Sequence, residues 1–499
     1  MRKIVNAGSA GRCVVVAAVS VVTLALAQPA SASTAERPVS VLHVGQVAAQ
    51  NVPVLPGSEP DTLVEPDLAV SPLHPNVALT VAHDGRYADG GAVGIAYAWT
   101  DNGGARWHSS ALPKLTVGTG GPAVWERASD PVAAYGPDGT AYVSTLLFNS
   151  GCDSAVAVSR STDGGKTFGA PVLAHRSSTC AVSDDKNWLV VDDSATSPHK
   201  GRLYQFWTPF LTDIFGNSDG SPQALVYSDD SGRTWSQPVN VSPPHANSQN
   251  SQPMLRPNGH LVDAYLDYGP AAAAEGPEAA GARRTAHRAT PTPSPSAAAP
   301  SVAAASYPVF VTRLSSDGGA TWHQGGTVTS DVGEGPAGFR CCLPSAVSDP
   351  VSGRLYAAWN SRKPAQVRLS SSTDGVHWSA PVLVNHGTGG GATVNADVSA
   401  YNGSVAVSFG VLDAKTGPGT FGQQYVATSH NRGATFTNQI AIGPVSNYAY
   451  AAQARGIFPG DYIGSAMTKG RLYLAWCRSS RPPSGGKYHQ VLYAAVFGI

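Results

Sequence analysis

Seven short polar runs, spread along a chain of 499 residues of which only 13% are charged, carry the side chains able to do chemistry. They are Glu65-Pro66-Asp67, Glu126-Arg127 with Asp130, Asp184-Asp185-Lys186-Asn187-Trp188, Gln249-Asn250-Ser251-Gln252, Phe339-Arg340-Cys341-Cys342, Asn395 with Asp397, and Gly460-Asp461-Tyr462. Carboxyl groups gathered in one cleft can divide acid and base work, one protonating a leaving oxygen while another stays anionic. Glu65, Asp67, Asp130, Asp185 and Asp461 are the candidates for that acid, with Tyr462 or a second carboxylate as base or nucleophile. Arginine grips anionic and polyhydroxyl groups through paired N–H donors. Arg340 and Arg127 are therefore the expected substrate anchors, joined by Lys186, Trp188 and Asp397. The competing reading is structural: the same groups pair with one another and tie neighbouring strands together. No Cys or His pair has zinc-finger spacing, and neither a metal nor a cofactor is expected.

These runs need a scaffold that brings distant segments to one point, and an internal repeat supplies it. Ser161-Thr162-Asp163-Gly164-Gly165-Lys166-Thr167-Phe168 recurs as Ser228-Asp229-Asp230-Ser231-Gly232-Arg233-Thr234-Trp235 and as Ser315-Ser316-Asp317-Gly318-Gly319-Ala320-Thr321-Trp322. Ser372-Thr373-Asp374-Gly375-Val376-His377-Trp378 is one residue shorter, and copies at Asn102 and Asn431 replace the Asp. An Asp or Asn side chain can accept hydrogen bonds from the amides of its own turn. A following Gly takes the positive φ that closes the hairpin, and the aromatic is placed to pack between sheets. Alternating apolar runs precede each copy and a short Pro-Val-type strand follows, as in Gln237-Pro238-Val239-Asn240. Two more strands lie upstream in each repeat. Four short antiparallel strands per repeat predict an all-β protein, a β-propeller of four-stranded blades with the polar runs on the first strand of each.

The octets resemble the Asp-box (BNR) repeats of the sialidase-like β-propeller superfamily, over about residues 65–499. The resemblance implies a carbohydrate-active propeller, and for sialidases a tyrosine nucleophile with an arginine triad on the substrate carboxylate. The family's N-terminal Arg-Ile-Pro signature is absent, and Glu65-Pro66-Asp67 stands near where it would fall. Arg127, Arg340 and Arg455 are the available arginines, and Tyr450 and Tyr462 the available tyrosines. Six repeats carry an octet, and strands beyond the sixth, completed by Val39-Ser40-Val41-Leu42-His43-Val44, predict seven blades, with six as the alternative. The expected function is a secreted sialidase-like glycoside hydrolase acting on extracellular glycans; the alternative is a non-catalytic propeller that binds a glycan, peptide or surface partner.

Composition bounds the remainder. With 54 Gly and 38 Pro the chain reads as many short strands and turns, not as a helical bundle. Lys plus Arg balance Asp plus Glu at 33 each, so the basic footprint of a nucleic-acid binder is missing. Arg2, Lys3 and Arg12 before an uncharged apolar run, then Ala30-Ser31-Ala32, predict a secretory signal over residues 1–32. The apolar run is too short to span a bilayer, and no membrane span is expected. One propeller domain is expected over residues 33–499, interrupted by a disordered Ala/Pro-rich loop at 270–306. Export favours disulfides among Cys152, Cys180, Cys341, Cys342 and Cys477. Cys152–Cys180 is the readiest pair; Cys341 and Cys342 either bond to each other or send one partner to Cys477.

Overall fold

The three full octets close their hairpins with the same bonds. In the first full copy Ser161 Oγ donates to Asp163 Oδ1 (2.7 Å) and accepts from the Gly165 amide (2.9 Å). Asp163 Oδ1 accepts from the Thr167 amide (2.9 Å), and its Oδ2 accepts from the Thr167 hydroxyl (2.6 Å). Ser228, Asp230, Gly232 and Thr234 repeat the pattern, as do Ser315, Asp317, Gly319 and Thr321. Gly165 sits at φ 92°, where a Cβ would be strained.

The chain is described by a computed structural model over residues 39–269, 308–363, 365–413, 421–483 and 485–499. The expected leader at 1–32 and the Ala/Pro-rich stretch at 270–306 lie outside the described residues. The protein is all-β, and no α-helix occurs among those residues. Its strands form antiparallel ladders in chain order. The first strands of successive ladders are Val64–Val70, Arg127–Tyr135, Val182–Val191, Ser248–Leu255, Ser345–Ser348, Thr393–Tyr401 and Gly464–Thr468. The first two ladders share one bridge, Ala92 opposite Ala128. The strand expected at the start of the mature chain is Ser40–Ala48, and it pairs with Gln490–Gly498, Ser40 opposite Gly498. Each first strand packs against the next, and Gly464–Thr468 packs against Val64–Val70.

The core is a series of apolar seams between consecutive ladders. Leu79 and Tyr97 meet Val143 and Phe168, and Val132 and Tyr142 meet Leu203 and Trp207. Later seams follow the same order, with Trp359, Phe409 and Trp476 among their largest members. One further seam joins Tyr473 and Leu492 to Leu68 and Ala78, linking the last ladder to the first. The octet aromatics fill these seams as the repeat predicts: Phe168 meets Tyr97 edge-on at 5.0 Å, and Trp322 meets Phe206 at 5.9 Å. Cys152 bonds to Cys180 and Cys341 to Cys342, which leaves Cys477 as a buried thiol in the seam between last and first ladders.

Candidate active site

The first strands do not run regularly through the polar positions. Pairing to the second strand slips between Val64 and Asp67, Ser129 and Val132, Asp185 and Trp188, Gln249 and Gln252, and Val394 and Asp397. Within each slip one residue adopts a left-handed φ: Glu65 (54°), Asp130 (48°), Lys186 (39°), Asn250 (65°) and Asn395 (49°). Cys342 (89°) and Gly460 (107°) occupy the matching place before the two remaining first strands. A left-handed non-glycine residue inside a strand is costly, and a bulge re-aims a side chain that regular pairing would hold in the sheet. The same local distortion recurs, ladder by ladder, at the polar runs, where the first strands pack against one another.

There Glu65 and Asp130, each 4% exposed, meet around His83. His83 Nε2 lies 2.9 Å from Glu65 Oε2 and 3.9 Å from Asp130 Oδ1. The Asp130 amide donates to the same nitrogen (2.6 Å), and Ser129 Oγ stands 3.3 Å from it. Because serine, carboxylate and amide all converge on one ring nitrogen, the group cannot work as a serine–histidine–acid relay, which needs both nitrogens. A metal fits poorly as well, because the Lys186 and Arg340 cations lie close enough to act on Glu65. Glu65, His83, Ser129 and Asp130 line an open pocket of about 300 Å³, with Arg86, Arg340, Arg455 and Phe458 in its wall. Arg86 pairs with Glu59 (3.1 Å), Arg340 with Asp461 (3.4 Å), and both guanidinium groups lie about 5 Å from the Phe458 ring centre.

Burial and neighbouring charge drive the two acids apart. Burial alone would raise the Glu65 carboxyl, but His83, Lys186 and Arg340 bring it down to about 2. Burial lifts Asp130 well above the usual range, and the Glu65 charge adds to the shift. Asp185 and Asp461 are lifted to about 6 and about 7, again chiefly by burial, with Arg340 pulling each back.

Beneath the pocket lies a second layer. Lys186, 2% exposed, sets its ammonium 3.9 Å from the Tyr462 ring centre and 4.6 Å from that of Trp188, and its Nζ has no hydrogen-bond partner among the described residues. The Tyr462 hydroxyl donates to the Pro131 carbonyl (3.4 Å), and burial with four nearby acids pushes its phenol well up. Asp67 accepts the Ala133 amide (2.8 Å); Asp397 accepts from Ser345 (2.6 Å) and Ser465 (2.5 Å).

Of the residues picked from sequence, Glu65, Asp130 and Arg340 line the pocket, and Asp461 and Asp185 interact with that group. Lys186, Trp188, Tyr462, Asp67 and Asp397 do not line it. Arg127 stands behind the wall, paired with Asp89 (2.7 Å) and the Gly90 carbonyl (2.8 Å), both on residues that do line it. Sequence reading missed His83, Arg86 and Phe458. The first two belong to the second strand of the first ladder, Ala78–Arg86, which is buried along its whole length. Three ionisable residues, His83, Asp84 and Arg86, closing so buried a strand were the available signal.

No protein-family description and no curated protein matches the sequence. Solved structures do resemble it in fold. A Hadza microbial sialidase aligns at 14% identity and TM-score 0.46, covering 92% of this chain and 96% of its own. The α-L-arabinofuranosidase Arb93A of Fusarium graminearum aligns at 11% identity and TM-score 0.46, covering 91% and 98%. A Dyadobacter fermentans protein of unknown function gives 11% identity and TM-score 0.46, covering 92% and 100%. At such identities no residue role passes from these proteins to this one.

Proposed function

We propose that this chain is a glycoside hydrolase acting on acidic sugars of extracellular glycans, with Asp130 as general acid and Glu65 as its anionic partner. One observation carries the reading: the two carboxyl groups and three arginines, Arg86, Arg340 and Arg455, share the wall of one open pocket. Oxygens of Glu65 and Asp130 lie within 4.8 Å of each other, near the ~5 Å separation of retaining glycosidases. Glu65 would then attack or support the sugar's anomeric carbon while Asp130 gives its proton to the leaving oxygen. The arginines supply the donors that a sugar carboxylate requires. The buried phenol of Tyr462, raised and bonded to Pro131, suits a supporting role better than that of nucleophile. We further infer that the ladders are seven blades of a propeller, closed by Ser40–Ala48 on the last, and that residues 1–32 are a leader for export. The two disulfides agree with an oxidising destination.

Turnover of aryl sialosides, aryl uronides and neutral arabinosides by the purified protein tests the reading. Hydrolysis of an acidic member is expected, with Asp130→Asn and Glu65→Gln each lowering kcat by about 10²- to 10⁴-fold. No turnover on the panel, with retention on a glycan array, would instead support a binding propeller.

A further inference from the structure

The adjacent cysteines stand where five of the other ladders keep a polar residue. Cys342 takes the left-handed place held by Glu65, Asp130, Lys186, Asn250 and Asn395 in theirs. In those five ladders strand pairing resumes on both sides of the irregularity, as with Val64 opposite His83 and Asp67 opposite Val81. In the Cys342 ladder it does not. Pairing begins only at Ser345 opposite Ala358, so no second strand holds the chain upstream.

That upstream segment is held instead by the stretch that carries the pocket wall. The Arg340 amide donates to the Ile457 carbonyl (2.9 Å), and the Ile457 amide donates to Gly338 (2.8 Å). The amides of Cys342 (3.2 Å) and Leu343 (3.0 Å) both donate to the Asp461 carbonyl. Between them these bonds fix Arg340, Phe458 and Asp461 relative to one another, and the Cys341–Cys342 bond lies inside the braced segment.

We propose that the Cys341–Cys342 bond is a positioning clamp for Arg340 and Asp461, and that a dithiol opening it loosens the pocket's anion-binding wall while the fold persists. The bond locks the backbone at a φ of 89°, which a free cysteine rarely holds. The ring closes across one peptide bond, with its Cα atoms 3.7 Å apart, whereas Cys152–Cys180 joins residues 28 apart in sequence. Cys341 is half-buried, and Gly335 packs on its sulfur. Gly335 also lines a second cavity of about 340 Å³, with Val332, Glu334, Asn360, Arg362 and Thr393. A dithiol thiolate attacks Cys341 Sγ and Cys342 Sγ leaves as the thiol. The dithiol's second sulfur then displaces Cys341, so two electrons and two protons pass to the protein and the reagent ends as a cyclic disulfide.

The test is graded dithiothreitol on the full chain, with ring opening counted by alkylation and peptide mass. Only the kinetic part rests on the glycosidase reading; amide hydrogen exchange needs no substrate. At a dose that opens Cys341–Cys342 but spares Cys152–Cys180, exchange at residues 340–343 and 457 should quicken by about tenfold, while that of the seam strands holds. On an acidic aryl glycoside KM should rise by about tenfold with kcat within about twofold, and reoxidation should reverse both. Cys341→Ser with Cys342→Ser should match the reduced protein. Unchanged exchange in the opened protein and in the double variant overturns the clamp, and the double variant decides the matter where Cys152–Cys180 is reduced first. Faster exchange without turnover on any substrate keeps the clamp and removes the glycosidase reading alone.

Discussion

A buried ammonium that finds no hydrogen-bond acceptor among the described residues must be stabilised by charge and by ring faces, and Lys186 has both. Tyr462 and Trp188 offer their rings, and the Lys186 charge helps to hold the Glu65 carboxyl down at about 2. On the proposed reading Lys186, 2% exposed, is a positioning residue that acts through Glu65. Lys186→Met keeps the length of the side chain and removes the charge. Glu65 should then titrate higher, and the acid limb of the kcat/KM profile should move toward neutrality by about one pH unit. A limb that stays in place would show that His83 and Arg340 suffice. Lys186, Trp188 and Asp397, expected from sequence as substrate contacts, do not line the pocket of Glu65 and Asp130. Sequence identifies which residues reach the inner strands, but depth along a strand depends on how successive ladders stagger. Arg127 shows the same limit: it precedes the bulge at Asp130, and its guanidinium is taken by Asp89 and stacked on Tyr87 at 4.5 Å.

At the level of the element, the octets were legible because their chemistry is local. Asp163, Asp230 and Asp317 bond to hydroxyls and amides within four residues, so the short repeat contains the whole device. His83 was not legible, because its partners are 18 residues before it and 47 after it and only strand pairing unites them. The octet aspartates also carry a pH signature. For Asp163 and Asp317 burial opposes the shift, yet the Thr and Ser hydroxyls and the backbone amides bring each to about 2; at Asp230 the Thr234 hydroxyl and amide lead. A carboxyl lowered by folding stabilises the native state above its unfolded value of ~4, and the contribution is lost as pH falls toward ~2. Asp163→Asn, Asp230→Asn and Asp317→Asn combined should leave the fold intact, since Asn431 already makes the same bond to the Thr435 amide (3.0 Å). The drop in Tm between pH 4 and pH 2 should become shallower in the triple variant. An unaltered drop would place acid sensitivity elsewhere.

Across the whole molecule the charge balance runs in the opposite sense. Its apolar seams pass from ladder to ladder and back to the first, so the polar residues that the seams exclude collect where the first strands converge. Burial raises Asp67 to about 7, with the Asp397 charge adding to it, and lifts Asp397 to about 6. Asp185 (about 6) and Asp461 (about 7) belong to the same inner set. A carboxyl whose folded value lies above its unfolded one binds its proton more tightly in the native state. Stability is then full below the unfolded value of ~4 and declines as pH rises toward the folded value. Octet and inner aspartates together should therefore give a Tm maximum near pH ~4–5, with an acid side set by the turns and a neutral side set by the centre. Asp67→Asn separates the two, because its amide oxygen can still accept the Ala133 N–H while the ionisation is gone. Its Tm at pH 8 should exceed that of the parent by a few degrees, with the two proteins equal near pH 4, where the parent's Asp67 keeps its proton. Calorimetry across that range is the measurement, and a parent Tm that climbs steadily from pH 4 to pH 8 would mean that the inner carboxylates are solvated and that the centre is open to water.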